Sequence, residues 1–283
     1  MSVSATAAFA VLLAMALAAG LSALAARTFR RRGFAPWWGA LAVGLAYVLA
    51  HAGVATPAIP PVDVTDRVPM LALAGAVVAA SLAGGRDVLW ARVVGYLGLA
   101  ALAYVVMLGP VLGAGAGDYS RETIIQLALI AVGSLLAMLN LALLDAPSQR
   151  PKFWAALTVL ALGTGVILVL ANSAVLFQLG GVLALVLAAS LLGAWGLPVG
   201  GGIPVAATVL TALVIEGAVY AFLPATAALV LAAAPAVLWL VRLGPLARLG
   251  PKGRVVVASG LILIPLAVAV FLVLSSRSPD GYG

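Results

Sequence analysis

Residues 153–195 read FWAALTVLALGTGVILVLANSAVLFQLGGVLALVLAASLLGAW, 43 positions without a charged side chain. A helix that crosses the hydrocarbon of a bilayer takes about 20 residues, so this run is too long for one crossing and has room for two. The polar pair Asn172-Ser173 lies near its middle. Breaking the run there gives two apolar segments of spanning length, joined by a tight turn.

The same reading extends in both directions. Spanning candidates fall at about 5–26, 37–57, 68–85, 93–115, 123–144, 153–171, 174–195, 203–222, 225–241 and 255–275. The short stretches between them hold nearly every charge. Composition agrees: 65% of the 283 residues are hydrophobic and 8% are charged, against roughly 25% charged in a soluble domain. Lipid offers the backbone no hydrogen-bond partners, so a spanning segment is a helix or a strand of a closed barrel. The ten-residue alternation of a membrane barrel is absent. The expected fold is therefore all-α: a polytopic integral membrane helical bundle of about ten spans, one transmembrane domain over 1–283 with no soluble domain.

The first span superficially resembles a secretory signal, because Ala23-Leu24-Ala25 looks like a cleavage site. A signal carries its basic residues before the apolar core. Here Arg27, Arg30, Arg31 and Arg32 follow it, so the segment reads as an uncleaved helix with an external N-terminus.

Charge asymmetry points the same way. With an external start, the connectors after spans 1, 3, 5, 7 and 9 face the cytoplasm, and they hold 12 of the 15 basic residues against Asp87 and Asp145. Their net charge is +10, while Arg67, Arg121 and Arg277 against Asp63, Asp66, Asp118, Glu122 and Asp280 give the other side −2. Lys and Arg bias in short loops sets orientation, so both termini are expected outside the cytoplasmic membrane. Trp37, Trp38, Trp90, Trp154, Trp195 and Trp239 fall near the inner interface on this layout, where indole prefers to sit. The net charge of +7 is thus topological and does not indicate nucleic-acid binding. Arginine far outnumbers lysine, which occurs at 152 and 252 alone, and that bias hints at GC-rich coding and a bacterial source.

Val68-Pro69 and Ile203-Pro204 are 135 residues apart, as are Leu108-Gly109-Pro110 and Leu243-Gly244-Pro245. Both coincidences match spans 3 and 4 to spans 8 and 9, the pattern of two inverted five-helix halves, 1–145 and 150–283. In count and layout the chain is similar to the ten-helix drug/metabolite transporter superfamily. That resemblance carries no motif and transfers no residue, and the external termini depart from the internal ones usual in that group.

Several chemistries are excluded outright. There is no cysteine and His51 is the sole histidine, so thiolate metal sites, bis-histidine haem and an H-E-x-x-H motif cannot be built from one chain. The paired acids, Ser/His pair or metal ligands of an intramembrane enzyme are also missing. No cofactor, no metal and no enzymatic activity are expected.

Glu216 is the one Asp, Glu, Lys or Arg placed inside a span, and a charge at mid-bilayer costs roughly 2.5–3.5 kcal/mol on insertion scales. It lies roughly 20 Å along its helix from Ile203, in the outer half of the membrane. His51 reaches a similar depth on span 2, Gln126 and Gln178 open spans 5 and 7 from outside, and Tyr220 shares a helix face with Glu216 at i+4. These five residues form the candidate solute or proton site. A packing role is the alternative, with Glu216 neutral and hydrogen-bonded to His51, Tyr220 or a carbonyl. Asn140 and Asn172 read as packing or turn residues, and Pro235 and Pro265 as interruptions of spans 9 and 10. Gly109, Gly113 and Gly117 are spaced for close helix packing, within the fold or between copies. The expected function is a permease for a small or amphipathic solute; the alternative is a noncatalytic scaffold subunit of a membrane complex. Membrane lipids are the expected partners, with a homo-oligomer or complex subunits, and anionic headgroups are within reach of the arginine-rich connectors.

Overall fold

The computed structural model describes residues 3–32, 36–55, 57–58, 60–83, 88–113, 120–145, 150–193, 202–243, 246 and 248–276. Gly117, Trp195, Arg86, Asp87, Asp118, Arg277, Asp280 and most of the Gly196 to Pro204 connection lie outside the described residues.

Among the described residues the fold is entirely helical. The helices are α1 (Val3–Arg32), α2 (Pro36–Val54), α3 (Val68–Ala83), α4 (Leu89–Gly113), α5 (Arg121–Leu144), α6 (Arg150–Leu170), α7 (Ala174–Gly193), α8 (Gly202–Tyr220), α9 (Ala225–Ala233) and α10 (Pro251–Ser275). A 3₁₀ turn, Thr65–Arg67, leads into α3, and a 3₁₀ segment, Ala234–Arg242, continues α9. Among the described residues eight helices are long and apolar enough to cross a membrane, and Ala8–Leu24 and Gly39–Val54 are shorter apolar stretches.

The turn at Asn172 follows from its chemistry. Asn172 takes φ 68°, the left-handed conformation that asparagine tolerates better than most residues. Its N–H donates to the Val169 carbonyl at 3.1 Å and the Ser173 N–H to that of Leu168 at 3.0 Å, closing α6 as a Schellman motif. Ser173 Oγ then accepts from the Leu176 N–H at 3.3 Å, which caps α7. The split of the uncharged run thus stands where its polar pair placed it.

Burial is not shared evenly. From Gly202 to Gly217 every residue of α8 is buried, because α8 packs against α2, α3, α4, α5, α6, α7 and α9. By contrast α10 exposes Leu263, Ile264 and Phe271, and α4 exposes Val94 and Val105. A soluble domain rarely leaves so large a contiguous apolar surface open, whereas lipid covers it without cost. Close helix approach comes at Gly165 and Gly180, where a β-carbon on Gly180 would meet Gly165 Cα at 2.8 Å. Gly109 takes no part in this: nothing lies within 4 Å of where its side chain would start.

The prolines act in two ways. Helix α4 continues through Pro110 and α10 through Pro265, so Pro265 does not end its helix, whereas α9 changes to 3₁₀ geometry at the residue before Pro235. Of the tryptophans, Trp90 is exposed while Trp154 is 3% exposed, its indole filling the space beside Gly202.

Candidate functional site

Polar side chains gather at two poles. One pole joins the C-terminal ends of α2, α4 and α8 to the start of α3; the other joins the starts of α4 and α10 to the ends of α5 and the 3₁₀ segment. The first is rich in acids and the second in bases.

At the acidic pole, helix α2 presents Tyr47 and His51, one turn apart on one face, with ring centroids 6.0 Å apart and planes tilted by 53°. Both are 0% exposed, and Glu216 of α8 is 4% exposed. The helices that carry them are packed neighbours, and the Glu216 carboxyl lies within electrostatic reach of the Tyr47 hydroxyl. Asp63 in turn acts on Glu216, and Asp66 on His51. A sequence of acids therefore leads from exposed Asp63 toward the interior.

Asp66 is held by its own turn. Its Oδ2 accepts from the backbone N–H of Val62 at 3.1 Å and of Asp63 at 3.0 Å, so the loop before α3 wraps around this carboxylate. The next residue, Arg67, donates from Nη1 to the Val106 carbonyl at 2.7 Å. Tyr220 donates to the Met107 carbonyl at 3.1 Å. Its ring is exposed, so this hydroxyl serves the α4 backbone.

The buried trio itself is unsatisfied. Tyr47 Oη, His51 Nδ1, His51 Nε2 and Glu216 Oε2 are all buried without a hydrogen-bond partner among the described residues. Leaving one such group unmade costs about 1–3 kcal/mol, and native interiors leave few. Tyr47 stands beside His51 on α2 and within electrostatic reach of Glu216 on α8, and the three side chains offer donors and acceptors able to bind a proton, a cation or a polar solute.

The sequence-selected residues do not all join this site. Gln126 and Gln178 are exposed on α5 and α7, outside the trio. Tyr47 was missed, although its i−4 spacing from His51 is the signal that identifies it. Asp63 and Asp66 counted as loop charges alone, since no periodicity shows that a loop folds back over a helix end.

A separate, partly open cavity of ≈ 30 Å³ is lined by Ser134, Thr164, Thr211 and Pro235 among apolar side chains, room for about two waters. It touches α8 at Ala207, Leu210, Thr211 and Val214, a stripe about half a turn around the helix from Glu216. The cavity and the trio therefore occupy opposite faces of the central helix.

At the basic pole, Tyr96 donates to Asp145 Oδ2 at 3.0 Å and Arg92 Nη1 to the Asp145 carbonyl. Asp145 is 4% exposed; the connector residue of the sequence reading is a buried tie between α4 and α5. Asn140 accepts from Trp239 Nε1 at 2.6 Å, joining α5 to the 3₁₀ segment. No family model, no curated protein and no solved structure matches the chain. The chain has the apolar helical architecture of a multi-pass membrane protein.

Proposed function

We propose that the chain is a ten-span permease of the bacterial cytoplasmic membrane that moves a small or amphipathic solute, with Glu216, His51 and Tyr47 as the binding or protonation site. The observation that supports it is the absence of partners for four buried polar atoms of that trio. A packing role predicts the opposite, because a buried polar group that only fixes helix contacts finds its partner within the fold. An acid within a bundle is by default a pathway residue.

The reading includes an orientation with the acidic pole outside and both termini extracytoplasmic, carried by the basic connectors. It is noncatalytic and cofactor-free. Inverted halves would make α1 with α5 the counterpart of α6 with α10; α6 and α10 pack extensively, and α1 and α5 do not. A helical scaffold subunit is the competing function, and there the trio would be dispensable.

Proteoliposomes carrying entrapped pyranine separate the two. A solute panel added under an imposed pH gradient is expected to accelerate proton flux in the native chain and leave Glu216→Gln at the lipid background. Identical traces in both, together with stoichiometric protein partners on mild-detergent isolation, would establish the scaffold instead.

A further inference from the structure

Trp239 organises a second group of unpartnered polar atoms at the basic pole. Its Nε1–H donates to Asn140 Oδ1 at 2.6 Å, and the Arg242 guanidinium carbon lies over the indole, 4.3 Å from the ring centroid. One indole thus binds Asn140 by its edge and Arg242 by its face, joining α5 to the 3₁₀ segment. Indole nitrogen is a donor only, so the amide atom facing it is the oxygen and Asn140 Nδ2 points elsewhere.

Two buried donors are left over: Asn140 Nδ2 and Arg242 Nε have no hydrogen-bond partner among the described residues. Neither nitrogen can accept. What the pair lacks is an acceptor, and the connector that follows is positive, since residues 243–254 contain Arg248, Lys252 and Arg254 and no acid, so an acceptor with negative charge suits it. Arg254 Nε is engaged by the Leu249 carbonyl at 2.7 Å, and Asp145 is engaged by Tyr96 and Arg92. A guanidinium stacked on an aromatic face keeps its in-plane edge available, the geometry that grips phosphate oxygens two at a time.

We propose that Asn140, Trp239 and Arg242 form a binding site for a phosphate group, carried by an anionic lipid headgroup or by a free phosphate. The site stands apart from the Glu216 trio and is independent of what the protein transports. All three half-buried side chains sit toward the ends of their helices rather than at the middle, the depth at which headgroup phosphates lie.

The test uses the purified full chain in detergent, titrated with dioleoylphosphatidylglycerol, dioleoylphosphatidylcholine or inorganic phosphate, and read by native mass spectrometry and by melting temperature. Phosphatidylglycerol is expected to bind in preference to phosphatidylcholine, and Arg242→Gln and Asn140→Leu each to weaken it about tenfold. Arg242→Lys keeps the charge and loses the planar fork, so it serves if the glutamine variant does not fold, with the same loss expected. Arg248→Gln removes a charge of the same connector and is expected to stay within about twofold of the native chain. Stabilisation by inorganic phosphate alone would identify the free ion as ligand, and by phosphatidylglycerol alone the lipid. Binding unchanged in the Arg242 variants, equal loss in Arg248→Gln, or no binding of either probe would overturn the site.

Discussion

Arg67 Nη1 donates to the carbonyl oxygen of Val106 at 2.7 Å, and Val106 stands four residues before Pro110. That spacing explains the bond. Proline has no N–H, so the carbonyl four residues earlier loses its helical donor, and in an apolar bundle no water replaces it. The cation that opens α3 supplies the missing donor, and Tyr220 of α8 bonds the adjacent Met107 carbonyl at 3.1 Å. The proline in α4 thereby becomes the point where α3 and α8 are fastened to it.

Arg67→Met is expected to lower unfolding stability by about 1.5–3 kcal/mol, the worth of a hydrogen bond to a charged group. In a Pro110→Ala background the alanine N–H takes the Val106 carbonyl, so the same change costs less. Thermal unfolding of the four proteins in one detergent gives the coupling, expected above about 0.5 kcal/mol. Equal costs in both backgrounds would show that the bond does not depend on the proline.

Asn172 holds φ 68° between α6 and α7. Asn172→Gly is expected to be neutral or slightly stabilising, since glycine enters this conformation freely. Asn172→Val should cost about 1–2 kcal/mol, because valine branches at the β-carbon and lacks the short polar side chain with which asparagine tolerates this conformation. Melting temperatures of the two variants check the sign: a tolerated valine contradicts the turn geometry.

The α6 and α7 backbones touch at Gly165 and Gly180, where an added β-carbon falls 2.8 Å from Gly165 Cα. A backbone atom cannot swing aside as a side chain can. Gly180→Val is therefore expected to destabilise by about 1–3 kcal/mol or more, while Gly109→Val, in open space, changes the melting temperature little. A large loss at Gly109 would instead place that face against another copy.

Orientation is open to direct labelling because the chain contains no cysteine. Asp63→Cys and Arg248→Cys lie at exposed positions of opposite poles. In intact cells a membrane-impermeant maleimide is expected to modify the first and to reach the second after lysis. The reverse pattern would invert the proposed topology.

Much of the architecture was readable because lipid imposes a simple rule: an apolar run of spanning length forms a helix, and a polar interruption such as Asn172-Ser173 ends it. The candidate site was readable in part. Glu216 and His51 stand out as polar residues in apolar segments, but Tyr47 does not, and Gln126 and Gln178 share their depth without sharing their location. Depth along a helix follows from counting; direction around the bundle does not.

From the linear order of residues come the helical class, the approximate helix boundaries and the separation of basic from acidic connectors, because each depends on local composition and the solvent it requires. Tertiary packing alone decided that α8 occupies the centre, that Glu216 comes within electrostatic reach of Tyr47, and that Asp145 is buried while Gln178 is not. In a chain apolar on almost every face, polarity cannot say which side of a helix meets protein and which meets lipid. Steric fit chooses between them.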